Sequence, residues 1–407
     1  MDSITISARE AAQLLGISLP TLYSYVSRGL LHSQLQEGQK AKRYVREDVL
    51  RLLARNTDSR RAGGAAESAI DWGVPVLESR ITQVTNGQLF YRGHAINDLA
   101  DRRSLEQVAL ILWDSHDVDL FDNLVMPELD PVWSQLMANT MHMPAIPRAM
   151  TILPALAGMA DQATSTAKHT NAAIWMRLTA AVLLATTPGK DAFHQQVATT
   201  WKVDESVADI LRAAMIVCAD HELNVSAFTV RCVASTGAQL GMALCAGLAA
   251  LSGPKHGGES LRVSAFVRGG LACKPGELQH YLQRRLRTHD ARHHFSPRLP
   301  GFGHPLYPNG DPRGALLMQL LNTKKHAALL ELAATAQAMT GQILNVDFGV
   351  VALEIAYGLP QGAAQVLFAL GRTAGWIAHA LEQVEEGQLI RPRARYVGKY
   401  AAPETPP

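Results

Sequence analysis

The segment from Ser226 to Leu251 places the strongest constraint on how this chain of 407 residues folds. Its residues are almost all small or apolar, with alanine and glycine recurring throughout. A helix that is apolar on every side must be buried, because no face of it is suited to water. Small side chains also let neighbouring helices approach closely. We therefore expect this segment to form a buried helix, either within one subunit or between two.

The length permits two or three domains, and the composition is that of an ordinary soluble globular protein. The net charge of +2 says little about partners. Apolar runs such as Met242 to Leu251 are too short to span a bilayer, and the first residues lack a secretory signal pattern. We expect a cytoplasmic protein without a membrane partner. The cysteines have no CxxC or metal-ligand spacing, which predicts reduced, buried thiols and no metal site. They are Cys218, Cys232, Cys245 and Cys273.

A loop rich in glycine and proline, Gly301 to Gly314, holds His304 and Arg313. Glycines let the backbone approach a bound molecule, and prolines lower the entropy cost of ordering the loop. Both side chains are thereby predicted to be positioned for a ligand. The alternative for a lone loop histidine is an ordinary surface side chain.

Two more residues strengthen the ligand hypothesis. His256 lies beside glycines after the apolar segment, and Asp347 lies in the apolar run Val346 to Val350. Two histidines and a carboxylate are what proton abstraction next to a carbonyl, followed by carbon–carbon bond formation, requires. Apolar neighbours should raise the pKa of Asp347 and make it a better base. The alternatives are a helix N-cap for the aspartate and a hydrogen-bonded core side chain for each histidine.

At these residues the chain resembles the citrate synthase family, including its 2-methylcitrate synthase members. Further motifs occur in the order and spacing of that family, namely Glu78 to Ile81, Leu89 to Gly93, Ala219 to Ser226 and Ile390 to Arg393. The resemblance covers roughly Trp72 to Gly398. Short strands are expected up to about Arg92, and helices after it.

The resemblance implies a mainly α body of two helical domains that close over the substrate. The large domain would comprise residues 70–256 and 363–400, the small domain residues 257–362, and residues 401–407 a disordered tail. In the family, the helix that corresponds to Ser226 to Leu251 lies at a dimer interface. A homodimer with a shared active site is implied, and the alternative is a helix buried within one subunit.

The resemblance also implies a role for each candidate side chain. Asp347 matches the base that deprotonates the acyl thioester, and His256 matches the histidine that hydrogen-bonds the enol oxygen. His304 matches the histidine that polarises and protonates the keto oxygen of oxaloacetate. His221 matches a further ligand of this acceptor, with a hydrogen-bonded helix histidine as the alternative.

Three arginines match the family's carboxylate ligands, and arginine suits a carboxylate because its guanidinium offers paired donors. They are Arg313, Arg372 and Arg391, the last of which is donated in the family by the other subunit. No tightly bound cofactor is expected. Acetyl-CoA or another acyl-CoA is the expected co-substrate.

Two departures from the family pattern fall on the coenzyme A side. The familiar His-Gly-Gly-Ala-Asn-Glu run reads here His256-Gly257-Gly258-Glu259-Ser260-Leu261, and Pro308 replaces the usual basic residue after the second histidine. The acceptor side therefore matches the family, whereas the acyl donor stays open between acetyl-CoA and propionyl-CoA.

Residues 1–55 differ from the body that follows. Ser7 and Glu10 form a capping-box pattern that predicts a helix start, and Ser18 is placed to cap a second helix. A basic hairpin around Arg43 and a third helix are expected next. This outline resembles the winged helix-turn-helix domains of the MerR and excisionase type, whose second helix enters the major groove.

Ten Lys or Arg and six Asp or Glu residues lie between Met1 and Arg61, a modest basic excess that suits duplex DNA. The candidate DNA contacts, not divided between phosphate and base contacts, are Thr21, Tyr23, Arg28, Lys42 and Arg43. The alternative is a protein-docking module that does not bind DNA. Residues 56–69 lack apolar periodicity and are predicted to be a flexible linker.

Two functional hypotheses follow. The first is an acyltransferase that condenses acetyl-CoA or propionyl-CoA with oxaloacetate and hydrolyses the thioester to citrate or 2-methylcitrate. The second is a DNA-binding regulator whose synthase-like body senses oxaloacetate or a related ligand with little catalysis. The full set of proton-handling and carboxylate-binding residues favours the first hypothesis. The helix-turn-helix outline and the altered coenzyme A side favour the second.

Overall fold

The computed structural model describes most of the chain. The described residues are 5–15, 17–27, 33–35, 42–45, 49, 77–129, 131–160, 167–287, 299–321, 324–392 and 398. The chain divides into two units, Met1–Glu78 with Arg391–Pro407, and Ser79–Ile390. No helix among the described residues is long and apolar enough to cross a bilayer.

The first unit contains the helix-turn-helix outline. Glu10 N–H donates to Ser7 Oγ at 3.3 Å, and Ser7 N–H donates to Glu10 Oε2 at 2.8 Å, which completes the capping box before α1 (Ala8–Leu15). Ser18 Oγ accepts from Thr21 N–H at 3.4 Å in the first turn of α2 (Leu19–Ser27). Both predicted helix starts are confirmed.

Short strands complete this unit, namely β1 (Thr5–Ser7), β2 (Ser33–Leu35) and β3 (Lys42–Val45), paired antiparallel in the order β1, β3, β2. The β2–β3 pair is the predicted hairpin. A separate small core holds the unit together, formed by Ile6, Ala11, Ala12, Leu15, Leu22, Tyr44 and Val49. Apart from Val49, the expected third helix lies outside the described residues, as do the linker 56–69 and the tail 401–407.

The body begins with a meander of the antiparallel strands β4 (Thr82–Thr85), β5 (Gln88–Tyr91) and β6 (His94–Ala95). Helices then dominate. Those before the site are α3 (Ile96–Arg102), α4 (Leu105–Leu112), α5 (Pro131–Thr140), α6 (Ala145–Ala160), α7 (Lys168–Leu184), α8 (Phe193–Trp201) and α9 (Glu205–Val217). Those that form or flank it are α10 (Val225–Ala234), α11 (Leu240–Leu251), α12 (Glu259–Leu271), α13 (Leu278–Arg287), α14 (Pro312–Gln319), α15 (Ala327–Thr340), α16 (Val346–Ala356) and α17 (Ala363–Glu386).

The apolar segment that dominates the sequence is not one helix. It breaks between α10 and α11, where Gly237 takes a left-handed φ of 78°. α11 buries one face, on which Gly247 leaves room for the Trp376 ring, but Met242 and Ala249 on its other face are exposed. The alternative of a helix buried wholly within one subunit is therefore wrong for α11, and burial at a dimer interface stays a prediction.

α17 is buried along most of its length, and its glycines bring it against the end of α9. A Cβ at Gly371 would overlap the Met215 carbonyl oxygen, and Gly375 N–H donates to the Ala219 carbonyl at 3.1 Å. Between these glycines, Arg372 Nε–H donates to the Cys218 carbonyl at 2.8 Å. Close backbone contact thus delivers Arg372 to the segment that contains His221.

Gly371→Ala is expected to lower the free energy of unfolding by about 1–3 kcal/mol, because the added methyl group must push α17 away from Met215. Chemical denaturation of the two proteins measures this. Gly189→Ala is the matched control, since a Cβ there meets only Gln196 side-chain atoms at 3.5 Å or more. Equal losses in both variants would contradict the close approach.

Candidate active site

The turn that carries His221 is fixed from two sides. Asp220 N–H donates to Tyr91 Oη at 3.1 Å, and the Thr82 hydroxyl donates to the Asp220 carboxylate. His379 Nε2 lies 3.3 Å from Asp220 Oδ1, with both side chains fully buried. Burial raises the pKa of Asp220, but His379 and then Arg372 outweigh burial and hold the pKa below its usual value. A charged carboxylate therefore anchors this turn inside the protein.

The next residue completes the turn. Glu222 takes a left-handed φ of 54°, which is costly for any residue with a Cβ. Asn224 then caps α10 by accepting from Ser226 N–H and Ala227 N–H, both at 3.1 Å. The left-handed backbone at Glu222 thus places His221 at a sharp turn rather than within a helix.

The His304 loop is joined to the segment that leads into α16. Gly303 N–H donates to the Ile343 carbonyl at 2.8 Å, and Asn345 N–H donates to the Gly301 carbonyl at 2.9 Å. Gly301 needs its left-handed φ of 81° here, and a Cβ on it would meet Phe348 at 2.9 Å. The loop is therefore held by backbone bonds, as its glycine and proline content predicts.

His304 has a defined proton position when it is neutral. Leu306 N–H donates to His304 Nδ1 at 3.2 Å, so Nδ1 is an acceptor and the proton resides on Nε2. The His304 ring stands perpendicular to the His221 ring, with centroids 5.1 Å apart. The ring can thus offer an N–H donor, which a polarised keto oxygen would accept.

Tyr307 joins the two histidines, and sequence reasoning did not select it. Its hydroxyl lies 2.9 Å from His221 Nε2, and its ring centroid is 5.0 Å from that of His304. Burial, followed by the charge of Arg313, lowers the pKa of His221 well below its usual value. His221 is therefore neutral and hydrogen-bonded. The only sequence signal for Tyr307 was its place in the His304 loop.

Arg313 and Arg372, the two buried arginines among the predicted carboxylate ligands, differ in which nitrogens are already hydrogen-bonded. Arg313 is paired with Asp311 through Nε at 3.0 Å and Nη2 at 2.8 Å. Arg372 donates from Nε to Cys218, but its buried Nη2 has no hydrogen-bond partner among the described residues. A buried unpaired guanidinium nitrogen is costly unless a ligand satisfies it. Arg372 is thus the stronger candidate for binding an anion.

His256 is oriented by Ser226. His256 Nε2 lies 2.8 Å from Ser226 Oγ, which also accepts from Trp376 Nε1–H at 3.0 Å and donates to Asn224 Oδ1 at 2.7 Å. Burial, followed by the charge of Arg372, lowers the pKa of His256 to about 3. The Nδ1–H tautomer of the neutral ring accepts at Nε2 from the Ser226 hydroxyl, whereas the Nε2–H tautomer donates to Ser226 Oγ while Ser226 donates to Asn224. Ser226 therefore decides which ring nitrogen donates.

Asp347 lies in the first turn of α16 and does not cap it. The cap is Asn345, whose Oδ1 accepts from Asp347 N–H at 3.0 Å and from Phe348 N–H at 3.3 Å. Burial, followed by the nearby charge of Glu259, raises the pKa of Asp347 to about 7. The N-cap alternative is therefore wrong, and the carboxylate is available as a base near neutral pH.

The other predicted residues belong to the first unit or are not among the described residues. Arg391 is exposed and belongs to the first unit rather than to Ser79–Ile390. In the helix-turn-helix region Tyr23 is 53% exposed, and Thr21 Oγ1 lies 2.8 Å from Ser18 Oγ. Lys42 and Arg43 lie on β3, with side chains outside the described set, and Arg28 falls wholly outside it.

None of the four cysteines forms a disulfide. All four are free thiols, with Cys218 buried and the others half-buried. Burial raises the pKa of Cys218 to about 12 and that of Cys245 to about 11, so neither is a reactive thiolate at neutral pH. Cys218 belongs to the core, and Cys245 and Cys273 pack against it, so the prediction of a buried thiol is confirmed for Cys218.

This combination of helical fold and clustered histidines defines a citrate synthase-type protein, and sequence comparison agrees. The family model for the citrate synthase C-terminal domain matches residues 70–393, and a helix-turn-helix domain model matches residues 5–57. The chain belongs to the citrate synthase family and carries an excisionase-type helix-turn-helix domain at its N-terminus. The resemblance drawn from the motifs is confirmed.

Individual relatives show the extent of the likeness. Citrate synthase 2 of Bacillus subtilis is 26% identical over 366 residues, spanning 80% of this chain and 94% of that protein. Citrate synthase of Haloferax volcanii is 28% identical over 376 residues, spanning 82% and 96%. The solved citrate synthase of Thermoplasma acidophilum, in a ternary complex with carboxymethyl coenzyme A and oxaloacetate, is 22% identical with a TM-score of 0.69, covering 84% of this chain and 98% of that one. The expected fold class is confirmed.

Asp347→Asn is expected to stabilise the protein increasingly from about pH 4 to pH 7, with a plateau above. The folded chain holds the Asp347 proton up to a pKa of about 7, whereas the unfolded chain releases it near 3.8, so the native protein loses stability across this window. Asparagine removes that loss. Urea unfolding of both proteins between pH 4 and pH 8 measures the difference.

The exposed Asp119→Asn is the control for losing one carboxylate. A stability difference for Asp347→Asn that stays constant with pH would show that the carboxylate ionises normally.

Proposed function

We propose that this protein is a citrate synthase-type acyltransferase that condenses acetyl-CoA or propionyl-CoA with oxaloacetate, converting the acyl group to an alkyl group on transfer. The products would be citrate or 2-methylcitrate and free coenzyme A. The observation that carries this proposal is the convergence of a carboxylate base with a pKa of about 7, a neutral His256, a His304 ring that can donate from Nε2, and a buried arginine with an unsatisfied nitrogen. Family membership supports the reaction type.

On the donor side, Asp347 would take a proton from the carbon next to the thioester carbonyl. The C–H electron pair then moves into the enol, whose oxygen His256 Nδ1–H would stabilise once Ser226 donates to Nε2. Because the pKa of His256 is about 3, the donor is a neutral imidazole. The enol carbon would attack the keto carbon of oxaloacetate, forming the new carbon–carbon bond.

On the acceptor side, His304 Nε2–H would donate to the keto oxygen and protonate it as the bond forms. Arg372 Nη2 would bind one carboxylate of oxaloacetate, which satisfies its missing hydrogen bond. His221 would be a further ligand. Water then hydrolyses the thioester, with the released sulfur leaving as the coenzyme A thiol.

A dimer would complete the acceptor site. Arg372 Nη2 has no partner among the described residues, and Arg313 pairs with Asp311 through Nε and Nη2, so its Nη1 would be a further donor to a carboxylate. We propose that Arg391 of the partner subunit supplies another cation, as the family resemblance implies. The exposed small-residue face of α11 would suit such an interface, because close packing between helices favours small side chains.

Asp347→Asn is expected to lower turnover by about a hundredfold or more while oxaloacetate binding survives, because the amide keeps the shape but cannot accept the proton. The measurement is thiol release from acetyl-CoA and propionyl-CoA in the presence of oxaloacetate, with oxaloacetate affinity measured by calorimetry. Asp119→Asn controls for a surface carboxylate. Native protein that binds oxaloacetate but releases no thiol from either donor would contradict the proposed acyltransferase activity. It would favour the hypothesis of a DNA-binding regulator that senses oxaloacetate or a related ligand.

A second function concerns the N-terminal unit. We propose that it binds duplex DNA, supported by the matching helix-turn-helix family model and by the exposed face of α2 that includes Tyr23. Lys42 and Arg43 on β3 would reach phosphates. Thr21 and Arg28 are the other proposed contacts. Two copies carried by a dimer would bind more tightly than one through effective concentration.

Full-length protein is expected to retain random duplex DNA fragments on a filter, whereas a chain that begins at Ala69 is not. Retention should fall steeply with added salt, because phosphate contacts release counterions, and Arg43→Ala should weaken it without changing thiol release. Asp119→Asn in the body is the matched control. Equal retention by the full-length and shortened chains would mean that the N-terminal unit does not bind DNA and is instead a protein-docking module.

A further inference from the structure

Two helices of the site run side by side in the same direction. Near their starts, the space beside Gly301 is bounded by Phe348 of α16 and by Val263 of α12, 2.9 and 3.1 Å from a Cβ built there. Near their ends, Arg268 Nη2 of α12 lies 3.2 Å from Glu354 Oε1 of α16. The N-terminal parts of the two helices are therefore close together, and so are their C-terminal parts. The N-terminal turns of α12 and α16 are thus neighbours.

Each of these N-terminal turns carries a carboxylate. Asp347 lies in the first turn of α16, and Glu259 is the first residue of α12. Glu259 N–H donates to the His256 carbonyl at 2.9 Å, which ties it to the histidine proposed for the enol oxygen. Its side chain is only 22% exposed. Glu259 is therefore a second carboxylate at the proposed donor side, where the familiar family run has alanine.

Apart from Glu259, the charges around Asp347 leave one unbalanced charge, that of Arg372. From the α14 side, Arg313 and Asp311 form a bidentate pair, so their opposite effects on Asp347 largely cancel. From α17, Arg372 contributes one positive charge. From α12, Glu259 contributes the leading negative charge. On α16 itself, Glu354 lies two turns away and is paired with Arg268. Burial and Glu259 are the two largest causes of the raised Asp347 pKa.

We propose that Glu259 strengthens Asp347 as a base by placing a like charge beside it. Two neighbouring carboxylates resist being ionised together, so Asp347 holds a proton more firmly once it has taken one. Glu259 does not touch the reacting atoms and acts only through Asp347. The role of this charge in turnover rests on the function proposed above, whereas its effect on the titration of Asp347 does not.

Arg262 moderates this charge. Its Nη1 lies 2.9 Å from Glu259 Oε2, one turn along the same helix, but its side chain is 42% exposed. An ion pair that is open to solvent neutralises its carboxylate only in part. Removing Arg262 should therefore leave the charge of Glu259 less neutralised. The pKa of Asp347 should then rise, whereas removing Glu259 should lower it.

The titration of Asp347 is measured without any substrate. The pH midpoint over which Asp347→Asn gains stability relative to its parent reports this titration, and it is determined by urea unfolding in the full chain. In a Glu259→Gln background the midpoint is expected to fall by about one pH unit, the size expected of one nearby unit charge. In an Arg262→Gln background it is expected to rise. With both background substitutions it should match Glu259→Gln alone.

Thiol release adds a second readout. The acidic limb of the rate profile should move with the same midpoints, to lower pH in Glu259→Gln and to higher pH in Arg262→Gln. A Glu259→Gln midpoint that equals the native one, or an Arg262→Gln midpoint that moves the same way, overturns the proposal. If no variant releases thiol but the stability midpoints move as stated, the proposed reaction fails and the coupling of the two carboxylates stands.

Discussion

The buried carboxylate of Asp311 is the interaction on which the site depends. It caps α14 by accepting from Arg313 N–H at 3.0 Å, binds the Arg313 guanidinium through two nitrogens, and accepts from Val346 N–H at 3.0 Å. Burial raises the pKa of Asp311, but the charge of Arg313 outweighs it, so the group stays ionised. One charge thereby joins the His304 loop, α14 and the start of α16. Without it Arg313 would be a buried unpaired cation, a costly state.

A second support acts through backbone contact rather than charge. Glycines on α17 let that helix press against the end of α9, so Arg372 enters beside the Asp220 turn. The same helix supplies His379 to Asp220 and Trp376 to Ser226. Two anchored segments thus converge, one that carries His221 and Ser226, and one that carries Arg372. α17 therefore borders both the proposed acceptor side and the proposed donor side.

The structure also explains how one site can combine neutral and charged groups. Burial drives His221 and His256 to their neutral forms, in which each ring offers one donor and one acceptor. The same burial raises the pKa of Asp347 into the neutral range. Burial therefore both keeps the two histidines neutral and makes Asp347 a stronger base. The arginines remain charged because guanidinium groups are hard to deprotonate. The departure at Glu259 adds to this effect rather than disrupting it.

Much of this protein was open to sequence reasoning. The family, the helix-turn-helix outline and the capping box of Ser7 and Glu10 depend on residues close together in the chain, where spacing alone carries the information. The glycine-flanked His256 and the glycine- and proline-rich loop of His304 likewise pointed to ligand positions. Even the raised pKa of Asp347 followed from its apolar neighbours.

Only the tertiary structure decided the rest, because it depends on contacts between distant residues. Arg372 meets the Cys218 carbonyl 154 positions away, and Trp376 meets Ser226 150 positions away. No local pattern shows that Tyr307 bonds His221, 86 positions away. The sequence by itself determined which residue types stand at which positions of the family pattern. Their charge balance and hydrogen-bond partners were decided by packing, since desolvation and proximity exist only once the helices are assembled.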